Sequence, residues 1–476
     1  MGGSLLSDKE PNNRLIVVSN RVPSPKGAGG NQGGLAVGVM NALQKADGLW
    51  LGWNGEIDGD NNAQLSHYDF DGVRFATFPI TEHDHKTYYT GFSNEILWPL
   101  FHYRPDKVEY SRESLDGYLR VNQRFARHIK PLVEPDTRVW VHDYHLIPLG
   151  YYLRQTSVDA PLGYFLHIPF PPWDVVRILP EYEDLLRYLT SYDLIGLQTE
   201  IDLKNLRDCM VMALDARDLG DNVLEVEGRR FKIAAYPISI DVNDAQDLAK
   251  KGEQSATGQR LKRSIGDRPL VIGVDRLDYS KGVYKRFQAF ERLLENAEHQ
   301  RGNVVFIQIS PPSRTDVHEY AQLRSTLERV AGHVNGRFAD YDWTPLRYLN
   351  RGYGREAVFG FLRQSRVALL TPLRDGMNLV AKEYVAAQDP EDPGVLIISH
   401  LAGASWELKD GALVCNPYDI DGVSDMLEQA LAMPLEERKL RWRRMMDVLE
   451  ANDIHNWSQN FLAELMEMKL ANSASQ

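Results

Sequence analysis

Cysteine is scarce in this sequence, since only Cys209 and Cys415 occur among its 476 residues. The two lie far apart and form no CxxC pair, so neither a disulfide framework nor a zinc ribbon is predicted. A reducing compartment suits such a chain. The amino terminus also lacks the apolar segment of a secretory signal. We therefore expect a cytoplasmic protein.

Long apolar runs and an excess of positive charge are missing as well. No run approaches the ~20 apolar residues of a membrane-spanning helix, so we expect no membrane association. The formal net charge is −12, which argues against general nucleic-acid binding because such proteins present a basic face. A chain of 476 residues is too long for one ordinary core and predicts two domains.

Short apolar runs that end in polar residues recur along the chain, with helical stretches between them. The runs lie at residues 14–19, 138–145, 163–172 and 194–200, and again at 269–275, 303–309, 367–370 and 394–399. Alternation of this kind predicts parallel sheets whose ligands bind outside the carboxyl ends of the strands. We therefore predict an α/β fold in which two Rossmann-like domains face each other across a cleft.

A polar stretch containing Gly and Ser separates the two series of strands. Tyr236–Asp241 is predicted as the last strand of the first series. The predicted domains are residues 14–250 and residues 251–455, followed by a C-terminal helix and tail at residues 456–476. We expect that helix to pack back on the first domain through one apolar face. The face consists of Trp457, Phe461, Leu465 and Met468.

The stretch Thr371–Glu383 combines a strand end, a glycine-containing loop and the start of a helix predicted at Leu379–Ala387. A helix N-terminus offers free backbone N–H groups and a partial positive charge, which suit an anion. Asp375 and Glu383 can accept hydrogen bonds from sugar hydroxyls. The stretch indicates a nucleotide-sugar site, and an ordinary strand–loop–helix with solvated charges is the alternative.

Basic residues follow two strands of the second series. Arg276 can bind a diphosphate as a bidentate fork and Lys281 as a point charge. Two fixed cations can also replace Mg²⁺ in stabilising a departing nucleoside diphosphate. Arg314, together with Arg21 from the first domain, could hold a second anion such as a sugar phosphate. No Walker motif occurs, so phosphoryl transfer from ATP is not expected.

Two candidate metal-binding patterns occur in this sequence, and neither fits a metal site. Asp58 and Asp60 form a lone D-x-D, but the surrounding residues favour a turn. The histidines at 142, 145 and 167 lack the spacing of a metal motif. We therefore predict no metal.

The glycine-rich loop at residues 20–34 follows a strand and precedes a helix, as a dinucleotide site would. Its glycines do not fit G-x-G-x-x-G, because Gln32 occupies the third glycine position. A loop that closes over a phosphate or a sugar is the better interpretation, and a flexible surface loop is the alternative.

Seven motifs in one order carry a resemblance to a known family. They are Ser19–Arg21, Gly33–Gly38, Leu49–Trp53, Trp140–His145, Phe165–Pro171, Arg276–Gly282 and Leu373–Glu383. Together they resemble the α,α-trehalose-6-phosphate synthases, which are retaining glycosyltransferases of family 20 with the two-domain GT-B fold. The resemblance runs from about Arg14 to Trp457.

The resemblance implies transfer of glucose from UDP-glucose to glucose 6-phosphate, with retention at the anomeric carbon and without a metal or other cofactor. It also implies a homo-oligomer, either a dimer or a tetramer. The implied donor-binding residues are Gly34, His167, Arg276, Lys281, Asp375, Met377, Asn378, Leu379 and Glu383. The implied acceptor-binding residues are Arg21, Trp53, Tyr89, Trp98, Asp143 and Arg314. Those implied to act in catalysis are Asp143, His167, Arg276 and Lys281.

Several alternatives stay open at this point. Gln32 and Asn54 depart from the family pattern, so another NDP-glucose donor or another acceptor, such as glycerol 3-phosphate, is conceivable. A nucleotide-sugar epimerase or hydrolase would not need the two arginines assigned to the acceptor phosphate. A non-catalytic sensor of UDP-sugars should tolerate loss of Arg276 or Lys281, yet both are retained. The glycine spacing disfavours a dehydrogenase.

Overall fold

The computed structural model describes residues 14–22, 34–46, 48–57, 63–314 and 317–474. The chain forms two compact units. The first unit contains residues 14–22, Ala36–Tyr236 and the residues from Ser458 onward, and the second contains Pro237–Trp457. The domain limits drawn from the sequence, at 250/251 and 455/456, stay a prediction.

A ten-stranded sheet forms the centre of the first unit. Its strands are β1 (Leu15–Arg21), β2 (Leu49–Ile57), β3 (Ser66–Phe70), β4 (Val73–Ile80), β5 (Arg138–His142), β6 (Leu162–Phe165), β7 (Leu194–Leu197), β8 (Arg217–Asp218), β9 (Val223–Val226) and β10 (Arg229–Ala235). They are ordered β3-β4-β2-β1-β5-β6-β7-β10-β9-β8. The strands from β4 to β10 in that order are parallel, and β3, β9 and β8 pair antiparallel at the edges.

Helices cover this sheet. They are α1 (Gly34–Lys45), α2 (Glu82–Asp84), the π-helix π1 (His85–Leu97), α3 (Trp98–Phe101), α4 (Arg112–Ile129), α5 (Leu149–Gln155), α6 (Trp173–Val176), α7 (Tyr182–Leu189) and α8 (Glu200–Leu214). The longest, α4, is capped by Ser111, whose side chain accepts a hydrogen bond from Ser114 N. It buries Tyr118, Val121 and Phe125, which recur at helical spacing.

The second unit has a six-stranded sheet that is parallel throughout. Its strands are β11 (Leu270–Val274), β12 (Val305–Ile309), β13 (Leu346–Leu349), β14 (Val367–Leu370), β15 (Val395–Ser399) and β16 (Leu413–Cys415). They are ordered β13-β12-β11-β14-β15-β16. The central strands are uniformly apolar and buried because helices cover both faces of a parallel sheet.

The remaining helices complete the architecture. They are α9 (Val242–Gln254), α10 (Ala256–Ile265), α11 (Val283–Asn296), α12 (His318–Phe338), α13 (Arg355–Arg363), α14 (Leu379–Ala387), α15 (Ala404–Leu408), α16 (Ile420–Ala432), α17 (Leu435–Ala451) and α18 (Ile454–Ala474). Short 3₁₀ turns lie at Pro105–Lys107, Lys130–Leu132, Tyr144–Leu146, Tyr279–Lys281 and Glu298–Gln300. None of the helices in the described residues combines the length and the apolar composition that crossing a bilayer requires.

The predicted α/β fold with two Rossmann-like domains is confirmed. The C-terminal helix also packs on the first unit as predicted, because its Phe461 ring stacks on Trp140 with centroids 4.8 Å apart. Gly163 permits this approach, since a Cβ there would lie 2.7 Å from the Phe461 ring. Leu465 and Met468 on the same face are buried.

Tyr236–Asp241 is not a strand, so that prediction was wrong. The last strand of the first unit is β10, which ends at Ala235. Pro237 has no N–H to donate to a sheet. Two carbonyls of the segment bond elsewhere: Ile238 O accepts from Lys382 Nζ at 2.8 Å, and Ile240 O accepts from Ile454 N at 3.2 Å.

Candidate active site

The strand–loop–helix predicted at Thr371–Glu383 is observed with the predicted helix bounds. β14 ends at Leu370 and α14 begins at Leu379. Asn378 is the N-cap in a left-handed conformation with φ 85°, and its side chain accepts a hydrogen bond from Ala381 N at 3.1 Å. The loop therefore delivers the chain to the start of a nine-residue helix, a position suited to an anion.

Asp375 connects this loop to the loop that follows β11. Its Oδ2 lies 2.6 Å from Lys281 Nζ and accepts from Asn378 Nδ2 at 3.1 Å. The backbone of Asp375 is fixed too, because its N–H donates to Leu401 O and its carbonyl accepts from Gly403 N. The structure thus brings together three of the predicted donor-binding residues.

A fully buried arginine, Arg286, lies at the base of these loops. Its Nη1 donates to Asp275 Oδ2 at 2.6 Å and to Gln308 Oε1 at 2.7 Å. Its Nε donates to Thr371 Oγ1, and its Nη2 to Lys281 O. Burial raises the pKa of Asp275, and the positive charge of Arg286 partly offsets that rise. One side chain therefore fixes the carboxyl ends of three neighbouring strands.

The other predicted donor residues occupy varied environments in the second unit. Met377 is buried and Leu379 half-buried, whereas Arg276 is exposed. Glu383 is half-buried on α14, and burial raises its pKa from the ordinary value while Arg355 acts to lower it. A carboxylate that is partly removed from water favours hydrogen-bond donors such as ribose hydroxyls.

In the first unit, Arg21 and Trp53 lie side by side on adjacent parallel strands. They are register partners on β1 and β2, and the Arg21 guanidinium lies 5.5 Å from the centroid of the Trp53 ring. Gly55 leaves room for the arginine, since a Cβ there would lie 2.5 Å from Nη2. Trp53 also meets Tyr89 edge to face at 5.5 Å. Three predicted acceptor residues therefore form one cluster.

The π-helix π1 supplies the next side of this cluster. Its i→i+5 bonding continues to its end, where Trp98 N–H donates to Ser93 O. Tyr144 OH donates to Asn94 Oδ1 at 2.9 Å, and Asn94 Nδ2 donates to Tyr89 O at 2.8 Å. The Trp98 ring packs 5.6 Å from Tyr144. π-Helical turns are rare and concentrate at functional sites.

Asp143 and His167 follow the neighbouring strands β5 and β6. Asp143 has φ 75°, a conformation that a non-glycine residue rarely adopts. Its N–H donates to Phe165 O at 2.8 Å, and its Oδ1 accepts from His167 N at 3.3 Å. These bonds hold the strained aspartate against the backbone of His167.

His167 is paired with a second histidine. Its Nε2 lies 3.0 Å from His142 Nδ1, and Gln198 Nε2 lies 3.4 Å from its Nδ1. Burial lowers the pKa of His167 to about 3 and that of His142 well below its ordinary value. Both imidazoles are therefore neutral at physiological pH, and one ring nitrogen of the close pair donates to the other.

Arg314 lies in the second unit, unlike the other predicted acceptor residues. Its side chain is 5% exposed, and Nη1 donates to Asp278 Oδ2 at 2.9 Å and to Tyr320 OH at 2.5 Å. Asp278 was not singled out from the sequence, although it lies between Arg276 and Lys281. Arg286 was missed as well, because its partners Gln308 and Thr371 are distant in sequence.

Several predictions fall outside the residues that the structure describes. Asp58, Asp60, Gln32 and residues 23–33 of the glycine-rich loop lie outside the described residues. Gly34 is described as the first residue of α1. Among the described residues, no group of three or more His, Cys, Asp or Glu side chains is arranged to hold a metal ion, and the absence of a metal stays a prediction.

Two Rossmann-like units, with strand-end loops of this composition, define a glycosyltransferase of the GT-B fold. The chain belongs to glycosyltransferase family 20, whose model matches residues 13–467. It is 47% identical over 455 residues to the trehalose-6-phosphate synthase of Sinorhizobium fredii, covering 95% of this chain and 98% of that one.

Two solved structures are similar over almost their whole length. One is an α,α-trehalose-phosphate synthase (UDP-forming) from Burkholderia xenovorans in complex with glucose-6-phosphate, with a TM-score of 0.92, 46% identity and coverage of 95% of this chain and 100% of that chain. The other is the Escherichia coli protein bound with UDP-2-fluoro glucose, with a TM-score of 0.91, 44% identity and coverage of 95% and 98%.

Proposed function

We propose that this protein transfers glucose from UDP-glucose to glucose 6-phosphate, giving UDP and α,α-trehalose 6-phosphate with retention at the anomeric carbon. The observation that carries the proposal is the Lys281–Asp375 link at the start of α14, in a chain that matches UDP-forming synthases over nearly its full length. The link joins a cation suited to a diphosphate to a carboxylate suited to sugar hydroxyls.

The donor is held by the second unit in this proposal. Arg276 and Lys281 bind the diphosphate and stabilise the charge that develops on it as it departs. Backbone N–H groups around Asn378 and Leu379 add to this charge stabilisation at the helix start. Asp375 binds hydroxyls of the transferred glucose.

The remaining donor contacts are proposed from the resemblance to trehalose-6-phosphate synthases. Glu383 binds the ribose hydroxyls, with Met377 lying in the same loop region as a buried support. Gly34 closes over the phosphates. His167 contacts the transferred glucose near its reacting carbon, where a neutral imidazole can hydrogen-bond without adding charge.

The acceptor is held mainly by aromatic and charged groups of the first unit. Trp53, Tyr89 and Trp98 line a pocket for the sugar, since aromatic rings pack against the apolar face of a pyranose. Asp143 accepts hydrogen bonds from acceptor hydroxyls. The phosphate is bound by Arg21, and by Arg314 from the second unit. Bidentate arginine forks match phosphate geometry.

The chemistry proposed is attack by the acceptor hydroxyl on the same face that the diphosphate leaves. An oxygen of the departing diphosphate takes the proton from the attacking hydroxyl. The positive charge that develops on the sugar ring is balanced by the diphosphate held by Arg276 and Lys281. Such a reaction does not need the paired carboxylates of a glycoside hydrolase, so Asp143 binds the acceptor and forms no covalent bond.

A substrate panel tests the proposal directly. UDP-, ADP- and GDP-glucose are each combined with glucose 6-phosphate, glycerol 3-phosphate or glucose, and the released nucleoside diphosphate is measured. We expect release that requires both partners and is fastest with UDP-glucose and glucose 6-phosphate. Release that is independent of any acceptor would indicate hydrolysis and contradict the proposal. Preference for glycerol 3-phosphate would reassign the acceptor.

A cytoplasmic location and a dimer or tetramer are part of the same proposal. Both rest on the family resemblance and on the composition of the sequence. Cell fractionation and light scattering of the purified protein would test them, and a monodisperse monomer would contradict the second.

A further inference from the structure

The two oxygens of the Asp278 carboxylate bind two different loops. Oδ1 accepts from Ser280 N at 2.9 Å and so caps the 3₁₀ turn Tyr279–Lys281. Oδ2 accepts from Arg314 Nη1 at 2.9 Å and from Tyr320 OH at 3.0 Å. The first oxygen serves the loop after β11, which carries Lys281, and the second serves the loop after β12, which carries Arg314.

The backbone of Arg314 needs such support. Its φ of 48° lies in the left-handed region, which is unfavourable for a residue other than glycine. The two loops also share backbone hydrogen bonds, with Leu277 N donating to Pro311 O at 2.9 Å. Asp278 adds the link that acts on the guanidinium itself, so it determines where the cation of Arg314 lies.

Burial strengthens the contacts of Asp278 with Arg314 and Tyr320 at neutral pH. The side chain of Asp278 is 1% exposed and that of Arg314 is 5% exposed, so their attraction is weakly screened. Burial raises the pKa of Tyr320, and the negative charge of Asp278 raises it further. The Tyr320 hydroxyl therefore stays protonated and can donate to the carboxylate.

We propose that Asp278 is a positioning residue that couples the loop for the donor diphosphate to the arginine for the acceptor phosphate. The proposal rests on the function proposed above, in which Lys281 binds the diphosphate and Arg314 the phosphate of glucose 6-phosphate. Asp278 touches neither substrate. It holds the guanidinium of Arg314 at a fixed distance from the 3₁₀ turn of Lys281, so affinity for the acceptor depends on it.

The variant Asp278→Asn isolates this role. The amide oxygen can still cap the 3₁₀ turn, whereas the amide nitrogen cannot accept from Arg314 or Tyr320. We expect the KM for glucose 6-phosphate to rise about tenfold to hundredfold, as for loss of a hydrogen bond to a charged group. The KM for UDP-glucose and kcat should change less than about threefold, a change below the net value of one ordinary hydrogen bond.

Two further variants separate positioning from general support. Tyr320→Phe keeps the ion pair and removes one hydroxyl, so the acceptor KM should rise about twofold to tenfold. This variant keeps the proposal testable if Asp278→Asn does not fold. Asp193→Asn is the matched control, because Asp193 is a buried carboxylate between Arg154 and Arg229 in the other unit. It should lower thermal stability without a selective change in acceptor KM.

The outcomes are distinguishable. Wild-type protein that releases no UDP from UDP-glucose and glucose 6-phosphate overturns the proposed function. If the wild type turns over and Asp278→Asn leaves the acceptor KM unchanged, the coupling by Asp278 is overturned and the proposed function stands. Where Asp278→Asn does not fold, an unchanged acceptor KM in Tyr320→Phe has the same consequence. The coupling is also overturned if Asp278→Asn lowers kcat and raises both KM values to a similar degree, as in the Asp193→Asn control. In an Arg314→Ala background, Asp278→Asn should raise the acceptor KM no further.

Discussion

At the scale of single residues, His167 shows how burial determines what a side chain can do. Its imidazole lies against that of His142, and burial lowers its pKa to about 3. A histidine with an ordinary pKa near 6.5 would be partly charged at neutral pH. His167 is neutral there, so it can hydrogen-bond to a sugar but cannot supply a proton as an imidazolium.

This pKa predicts an acid-sensitive stability. The folded-state pKa lies below the unfolded value of about 6.5, so the unfolded chain binds the extra proton. The stability is therefore complete above pH 6.5 and is lost as the pH falls toward 3. Between pH 7.5 and pH 5, we expect wild-type protein to lose about 2 kcal/mol more unfolding free energy than His167→Asn.

Urea unfolding at the two pH values measures this difference. His67→Asn is the control, because His67 is exposed on β3, and it should lose stability as the wild type does. Equal losses in the wild type and His167→Asn would contradict a buried neutral imidazole.

Some residues of the site could be predicted from the sequence, and others could not. Polar residues at strand ends, such as Asp143 and Asp375, could be picked out because parallel strands present their carboxyl ends at one edge. Asp278 and Arg286 could not, because their roles depend on partners such as Arg314 and Gln308. Those partners are far away along the chain, and only the fold brings them close.

At the scale of elements, Arg286 on α11 fixes the carboxyl ends of β11, β12 and β14 relative to one another. Gly273 on β11 makes room for this network, since a Cβ there would lie 2.6 Å from Arg286 Nη1 and would also clash with the Gln308 amide. A glycine inside a strand commonly marks such a close approach. The buried arginine therefore also fixes the positions of the loops that follow these strands.

Replacing Arg286 by Met should therefore be costly. It leaves Asp275 as a buried carboxylate without its cation, and we expect a loss of about 3–5 kcal/mol in unfolding free energy. Arg324→Met is the matched control, because Arg324 forms an exposed i,i+4 pair with Glu328 in the same unit. The control should cost far less, because a solvent-exposed ion pair contributes little to stability.

Denaturant unfolding of both variants provides the measurement. A loss below 1 kcal/mol for Arg286→Met, similar to that of the control, would show that the network does not hold the strand ends.

Elements with a clear pattern were predicted well, and irregular ones were not. The helix Leu379–Ala387 was predicted with its observed bounds, because an apolar strand and a glycine-containing loop precede it. The π-helix His85–Leu97 was not predicted from the sequence. Its i→i+5 bonding gives neither the period of an α-helix nor that of a strand, which are the two patterns used to predict elements from a sequence.

At the scale of the whole molecule, the order of strands and helices was sufficient to predict two Rossmann-like domains. The edge strands β3, β8 and β9 were not predicted, because short antiparallel strands at a sheet edge have a mixed and half-exposed composition. The return of α18 to the first unit followed from its apolar face, and its Phe461 fills the space above Trp140.

The stereochemistry of the product tests the proposed glucosyl transfer most directly. Wild-type protein is mixed with UDP-glucose and glucose 6-phosphate, and the products are followed by ¹H NMR together with UDP release. We expect one UDP for each disaccharide phosphate formed, with both anomeric protons in the α configuration. A β linkage at the transferred glucose, or free glucose appearing with UDP in place of the disaccharide, would contradict it.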